Sequence, residues 1–339
     1  MSGETHHAWV TRSDLLALMS RQDGLVNRSQ ALGHGLTDAD LRRLVRRREW
    51  ARVHPGVFVD HTGPLTWVQR AWAAVLVAHP AALCAESALR ADEGPGRRGR
   101  DDTSPIHIAI DTDRQCRTPP GVVLHRMSGL QEKVLWNLGP PRVRVEEAVI
   151  DVASRAPDDL GAVAAIGAAV GSRLTTAARI LHALERRTRV PRRGFLSEVL
   201  TDVSLGACSA LEHRYLTHVE RAHGLPAALR QVRASSRGPI YRDVLYARLA
   251  VVVELDGRLD HTRARDRDRD LERDLDAALD ELLAIRLGWG QVVGRPCLTA
   301  TKLAALFQRR GWLGSPKPCK NCDGGDSPSS GDWESPLSA

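Results

Sequence analysis

Residues 241–261, YRDVLYARLAVVVELDGRLDH, constrain the fold of this chain more than any other stretch. The apolar, β-branched run at 249–253 predicts a buried strand. Glu254 and Asp256 follow two residues apart, so both point to one face of that strand while Leu255 points to the other. Charges at the end of a buried strand are costly unless something compensates them, and hard divalent cations prefer oxygen ligands. The stretch therefore predicts a sheet with a metal site at one edge.

The sequence around this stretch predicts an α/β unit. Helix 209–223 contains Glu212, and strand 240–246 contains a further acid, Asp243. The predicted order is helix 209–223, strands 229–234, 240–246 and 249–256, a charged helix at 265–283, a strand at 284–287 and a helix at 300–309.

This order, with one acid on the second strand and ExD on the third, resembles the PD-(D/E)xK nucleases, in the branch related to very-short-patch-repair endonucleases. The matching words are LEHRYL, GLP, YRDV, VVVELDGRLDH, RDRDLERD and IRLGW, and they cover most of residues 205–313. The resemblance implies that Glu212, Asp243 and Glu254 are the family's acids. Asp256 stands where the commonest version has lysine, and the sequence has no lysine between Lys133 and Lys302.

The resemblance also implies a mechanism for phosphodiester hydrolysis. Asp243, Glu254 and the Leu255 carbonyl would hold Mg²⁺ or Mn²⁺ beside the scissile phosphate. Glu212 or Asp256 would add a ligand or orient the attacking water. His261 would serve as general acid or base, and Arg263 or Arg286 would contact phosphate.

Most of these residues also have a structural explanation, whereas Glu254, at the centre of VVVELDG, is hard to explain structurally. Asp243 can pair with an arginine, and Asp256 with the following glycine can form a turn. Glu212 and His261 can be ordinary surface residues.

The N-terminal segment predicts three short helices and a hairpin. Ser13 and Asp14 can cap a helix over 15–21, and a second helix starts at Asn27 or Arg28. Thr37 caps a third helix, DADLRRLVRRREW. Strands at 50–53 and 56–59 complete a winged helix-turn-helix, in which the third helix reads a DNA groove. The alternative is a protein-interaction module whose arginines form a solvated face.

This segment, especially DGLVNRSQALGHGLTDADLRRLVRRREWARVHPGVFV, resembles the N-terminal domain of the AbiEi-type (type IV) antitoxins over about residues 11–62. Its W-x-x-V-H-P-G-V wing is the most specific word. The resemblance implies DNA binding, often at the family's own promoter. The whole chain looks like actinobacterial proteins that join such a domain to the nuclease-like one. The DNA-binding residues we predict here are Arg28, Thr37, Arg42, Arg43, Arg46 and Arg47.

Composition agrees with a soluble nucleic-acid-binding protein. The net charge is +7, the pI is about 9.4, and arginine supplies nearly all the positive charge. No apolar run reaches the length of a membrane span, and MSGETHHAWV lacks the apolar core of a signal peptide. We therefore expect a cytoplasmic protein.

The six cysteines suggest no complete metal motif. Cys84, Cys116, Cys208 and Cys297 are scattered and predict reduced thiols. Cys319-x-x-Cys322 supplies only two of four zinc ligands, within a Gly/Ser/Pro-rich stretch that favours disorder.

The expected fold class is α+β. We predict a winged helix-turn-helix at 1–62, a mixed α/β and helical connecting region at 63–204, a nuclease-like domain at 205–313 and a disordered tail at 314–339. Two functions follow: a DNA endonuclease or nickase with Mg²⁺ or Mn²⁺ as cofactor, or an antitoxin-like repressor on a degenerate nuclease scaffold. The expected partners are DNA and a toxin or its operator.

Overall fold

A computed structural model of the chain describes residues 13–94, 103–205, 209–233, 241–257, 281–320 and 322. The chain divides into two compact units, residues 1–152 and 153–339. Both contain helices and strands, which confirms the predicted mixed α and β fold class. Within the described residues, no helix has both the length and the apolar composition that a membrane crossing requires.

The first unit begins with a winged helix. Its elements are α1 (13–21), β1 (Leu25–Asn27), α2 (Arg28–Gly33), α3 (Asp38–Arg46), β2 (Ala51–His54) and β3 (Val57–Val59). The strand β3 lies between β1 and β2 and is antiparallel to both. The three helices and the hairpin agree with the prediction. The short strand β1 was not predicted, because only its pairing with β3 makes it a strand.

Local hydrogen bonds define the helix starts in this domain. Asn27 caps α2 and Thr37 caps α3, each in a reciprocal capping box with the residue three positions on, Gln30 and Asp40. Gly56 turns the β2–β3 hairpin with φ +74°, a conformation that favours glycine. The inner faces of the helices pack around one apolar cluster, whose buried members are Leu15, Met19, Val26, Ala31, Leu41 and Phe58.

The rest of the first unit is a five-stranded sheet with helices. The elements are α4 (Trp67–Val77), β4 (Ala82–Leu83), α5 (Ala85–Glu93), β5 (Ile106–Asp111), β6 (Val122–Met127), α6 (Leu130–Lys133), β7 (Val134–Leu135), β8 (Arg142–Val143) and α7 (Val145–Arg155). The strand order is β6-β5-β4-β8-β7. The helix α5 starts only at Ala85, because Ala82 and Leu83 pair with β5.

The second unit places helices around a four-stranded sheet. The elements are α8 (Asp159–Gly171), α9 (Ala177–Glu185), α10 (Arg193–Leu205), α11 (Ser209–Arg214) with π-helical turns over Tyr215–Arg221, β9 (Leu229–Arg233), β10 (Tyr241–Tyr246), β11 (Val251–Asp256), β12 (Leu283–Gly288), a π-helix at Gly290–Gly294 and α12 (Pro296–Arg309). The order is β12-β11-β10-β9. The central strand β11 is antiparallel to β10 and parallel to β12.

Three boundaries differ from the predicted ones. The strand expected from residue 249 starts at Val251, because Ala247–Leu249 forms a 3-10 turn. The helix expected at 265–283 lies outside the described residues up to 280, and Leu283 belongs to β12 because it pairs with Val251. The last helix starts at Pro296 rather than at 300, because proline fits the first helical position.

Candidate functional site

The helix α3 separates an apolar face from a basic one. Leu41 is 3% exposed and packs in the domain core with Val45. Four arginines at positions 42, 43, 46 and 47 are exposed on the other faces. This is the helix that a winged helix-turn-helix presents to the major groove.

Ion pairs divide these arginines into two groups. Arg43 pairs with Asp40 at 2.8 Å, and Arg47 pairs with Glu49 at 3.8 Å. Arg42 and Arg46 form no ion pair with another described residue. Their guanidinium groups therefore remain available to an external anion such as a phosphate.

Two of the predicted DNA-binding residues are occupied in holding the domain together. Thr37 Oγ1 accepts from the Asp40 N–H at 3.1 Å, and the Thr37 N–H donates to Asp40 Oδ2 at 3.0 Å. Arg28 donates two hydrogen bonds to the carboxylate of Asp38. Both contacts fix the start of α3, so the structure gives Thr37 and Arg28 a positioning role.

The sheet of the second unit brings two predicted acids onto one face. The register of β10 and β11 pairs Val244 with Val253, and its extension by one residue sets Asp243 opposite Glu254. Directly opposed residues of an antiparallel pair share a face. Glu254 is 9% exposed, and its register partner on β12 is Arg286. The strands that carry Asp243 and Glu254 are therefore antiparallel neighbours, and the joint binding of a metal ion by the two carboxylates stays a prediction.

The carboxylate of Asp243 also binds the neighbouring backbone. Its Oδ2 accepts a hydrogen bond from the Leu255 N–H at 2.8 Å. This bond joins β10 to β11 beside the carbonyl that was predicted to be a metal ligand. Asp243 therefore has a structural task as well as a position at the acidic edge, the part of the sheet that carries Asp243, Glu254 and Asp256.

A cavity of about 540 Å³ adjoins this edge. Asp256 and Arg286 line it from the sheet, and Leu160, Val163 and Ala164 line it from α8. Asp256 points to the same face as Glu254, because the two lie two residues apart in one strand. A carboxylate and a guanidinium thus face a space of small-ligand size.

Glu212 lies on α11, and the π-helical turns that follow α11 contact the end of β10. The hydroxyls of Tyr215 and Tyr246 lie 2.8 Å apart, and strand alternation puts Tyr246 on the opposite face of β10 from Asp243. Among the described residues, Glu212, Asp243, Glu254 and Asp256 do not form a group of three whose ligand atoms converge. Glu212 was expected to add a ligand or to orient the attacking water, and the structure does not bring it into one ligand group with Asp243 and Glu254. His261 and Arg263 lie outside the described residues.

The structure assembles a different group that sequence reasoning missed. His223, Cys297, Cys319 and Cys322 bring their ligand atoms within 4.8 Å of one another. This corrects the view of Cys297 as an isolated thiol and of the CxxC pair as part of a disordered tail. Residues 314–320 and 322 are described, and within them Lys317 donates to the His223 carbonyl and Gly314 accepts from Gln308 of α12. The only signal in the sequence was the CxxC spacing itself.

The comparisons with known proteins bear mainly on the N-terminal segment. Residues 13–59 match the family model described as "Transcriptional regulator, AbiEi antitoxin". None of the curated proteins compared with the chain matches it. The crystal structure of the RV2827C protein from Mycobacterium tuberculosis is similar at 17% identity and a TM-score of 0.36, over 60% of this chain and 80% of that chain. The family match thus supports the similarity of residues 13–59 to the AbiEi antitoxin domain.

Proposed function

We propose that this protein is a DNA-binding transcriptional regulator of the antitoxin type, with α3 as its groove-reading helix. One observation carries the proposal: α3 exposes Arg42 and Arg46, neither of them in an ion pair with a described residue, in a segment that matches the AbiEi antitoxin family. Arginine is suited to this task, because its planar guanidinium binds phosphate and guanine through two hydrogen bonds.

The surroundings of α3 support a rigid reading helix. The capping box at Thr37 and the two hydrogen bonds from Arg28 to Asp38 fix its first turn. Leu41 fixes its rotation against the core. Such a helix enters a groove without first being ordered, so little conformational entropy opposes binding.

The proposal is tested with the full chain and two labelled duplexes of equal length. One duplex carries the region upstream of the protein's own gene, and the other has an unrelated sequence. We expect tighter binding to the first and salt-sensitive binding to both. Equal affinity for both duplexes would show general DNA binding without regulation at that promoter, and no affinity would favour a protein-interaction module.

A matched variant pair separates α3 from net charge. Arg42→Ala with Arg46→Ala removes two positive charges from α3, and Arg186→Ala with Arg189→Ala removes two from exposed positions in the second unit. We expect only the first pair to weaken binding. Equal losses would mean that overall charge, not α3, attracts the DNA.

A second candidate function is metal-dependent phosphodiester hydrolysis at the acidic edge. Its alternative is that the protein is only a regulator and that its nuclease-like fold is catalytically degenerate. It is supported by Asp243 and Glu254 on one sheet face, with Asp256 and Arg286 lining the adjoining cavity. Their carboxylates and the Leu255 carbonyl are hard oxygen donors, which suits Mg²⁺ or Mn²⁺. Such an ion, when bound, lowers the pKa of a water and neutralises charge on the phosphate. Arg286 would orient the phosphate through its guanidinium.

Hydrolysis is tested by plasmid nicking with Mg²⁺, with Mn²⁺ and with EDTA. Activity that needs a metal and is lost in both Asp243→Asn and Glu254→Gln would support the enzyme. These two variants keep the shape of the side chain and one carbonyl oxygen while removing the charge. Wild-type protein that cleaves neither single- nor double-stranded DNA with either metal would favour the regulator alone.

A further inference from the structure

Four side chains from three separate parts of the second unit meet at one point. His223 follows the π-helical turns after α11, and Cys297 is the second residue of α12. Cys319 and Cys322 belong to the segment that follows α12. The ligand atoms of these four residues all lie within 4.8 Å of one another. The cluster belongs neither to the acidic edge nor to the winged helix.

The spacing of these atoms fits a single tetrahedral ion. The Sγ atoms of Cys297, Cys319 and Cys322 are each 3.6 Å from the other two. Cys322 Sγ lies 3.9 Å from His223 Nε2. A tetrahedral zinc with Zn–S bonds of about 2.3 Å separates its sulfurs by about 3.8 Å. Sulfurs joined in a disulfide would be only about 2.05 Å apart.

The imidazole of His223 is already oriented for metal binding. Its Nδ1 lies 3.1 Å from the Val219 carbonyl oxygen. Since a carbonyl can only accept, Nδ1 carries the proton and the neutral ring keeps a lone pair on Nε2, the atom that faces the thiols. Zinc-bound histidines are held in this way by a second hydrogen bond to a carbonyl or carboxylate.

Hydrogen bonds also hold the backbone around the cluster in place. The Lys317 N–H donates to the His223 carbonyl at 2.8 Å. A turn closes from the Cys322 N–H to the Cys319 carbonyl at 3.1 Å, and the Cys319 N–H donates to Cys322 Sγ at 3.1 Å. His223, Cys297 and Cys322 are buried. Apolar packing alone does not explain why an imidazole and two thiols are buried together beside the partly exposed thiol of Cys319.

We propose that His223, Cys297, Cys319 and Cys322 bind one structural Zn²⁺ ion. Three thiolates and an imidazole form a closed, four-coordinate ligand set, which leaves no position for substrate or water. Soft sulfur ligands in a tetrahedral arrangement select zinc over the oxygen-preferring ions expected at the acidic edge. The ion fastens the segment 314–322 to the ends of two helices, so its binding energy contributes to the stability of the second unit.

The test measures the metal content of the full chain, purified under reducing conditions without chelator. We expect about one zinc per chain in the wild type. We expect loss of that zinc in Cys319→Ser and in Cys322→Ser, which remove ligands from the terminal segment without disturbing a helix. Cys116→Ser is the matched control, because Cys116 is a free, partly exposed thiol in the first unit, and it should keep the full zinc content.

Two further readouts make the proposal falsifiable without any activity assay. Chelation of the wild type should lower its melting temperature, and added Zn²⁺ should restore it, while the Cys319→Ser protein should respond to neither. Replacement of zinc by Co²⁺ should give the intense thiolate-to-metal absorption and visible bands of a tetrahedral sulfur-rich site. The proposal is overturned if the reduced wild type neither contains nor takes up zinc or cobalt. It is also overturned by iron in place of zinc, by zinc retained in both serine variants, or by a disulfide among these cysteines in the purified protein.

Discussion

Arg28 donates two hydrogen bonds to the carboxylate of Asp38, from Nε to Oδ1 at 2.7 Å and from Nη2 to Oδ2 at 2.5 Å. The pair joins the first residue of α2 to the first residue of α3 across the turn of the helix-turn-helix motif. The hydrogen bonds from Arg28 are the main cause that lowers the pKa of Asp38 below its usual value. Arg28 therefore positions the start of α3 from within the domain.

We predict that Arg28→Gln raises the pKa of Asp38 toward the usual value of about 3.9. Because the folded-state pKa is depressed, the stabilisation from this pair is present above the unfolded value and is lost as pH falls through the folded value. A carboxyl-carbon NMR titration of Asp38 measures the change. Asp40, whose pKa is lowered mainly by its hydrogen bond with Thr37, serves as the control and should not move. An unchanged Asp38 titration would mean that the pair does not persist in solution.

A buried polar network should stabilise the second unit. Glu220 accepts hydrogen bonds from Arg230 at 2.7 Å and from the Tyr246 hydroxyl at 2.9 Å. Burial raises the pKa of Tyr246, so its hydroxyl keeps the proton that it donates. Glu220→Ala leaves Arg230 and Tyr246 without this acceptor and should cost about 3 kcal/mol, measured by chemical denaturation.

Two comparisons calibrate that effect. Tyr246→Phe removes only the hydroxyl and should cost about 1 kcal/mol. Glu198→Ala changes an exposed helix residue and should stay within about 0.5 kcal/mol of the wild type. If Glu220→Ala costs no more than Glu198→Ala, the network does not contribute to stability.

The two tasks of Asp243 can be separated by comparing Asp243→Asn with Asp243→Ala. Both variants remove the charge, but only asparagine keeps an oxygen that can accept from the Leu255 N–H. We expect the alanine variant to be less stable than the asparagine variant by about 1 kcal/mol. Both should lack any metal-dependent cleavage. Equal stability of the two variants would show that the hydrogen bond between Asp243 and Leu255 does not contribute to the free energy of unfolding.

If the wild type cleaves DNA, two further substitutions locate the limiting group. His261→Ala should slow cleavage by the ~10²–10⁴-fold typical of one general acid or base. Asp256→Lys should raise the rate, because it supplies the cation that this sequence lacks at that position. A faster His261→Ala or a slower Asp256→Lys enzyme would contradict the roles assigned to these residues.

Local patterns in the sequence predicted most of the fold. The capping box of Thr37 with Asp40 spans only four residues, so the local sequence is sufficient to predict where α3 starts. The short strand β1 was missed because Leu25 is extended only through its pairing with Val59, a partner far along the chain. Pairing with β5 likewise makes Ala82 and Leu83 a strand, although alanine and leucine favour helices.

The candidate sites were predictable to the extent that strand alternation defines them. Asp243 and Glu254 share a face because they oppose each other in one hairpin, and a short connection fixes its register. Glu212 could not be placed in this way, since the rotation of α11 depends on Tyr215 packing toward Tyr246. His223 and Cys322 are far apart in the chain, so only the folded second unit reveals that they meet.

The central claim is tested most directly by the salt dependence of DNA binding. The measurement compares the wild type with the double variant that carries Arg42→Ala and Arg46→Ala. If both arginines contact phosphates, the slope of log affinity against log salt should become shallower by about two units, roughly 0.9 per lost contact. The control double variant, which carries Arg186→Ala and Arg189→Ala, should keep the wild-type slope. Both double variants should melt at the wild-type temperature. A slope that is the same in all three proteins would contradict the claim that α3 is the DNA-binding surface of this protein.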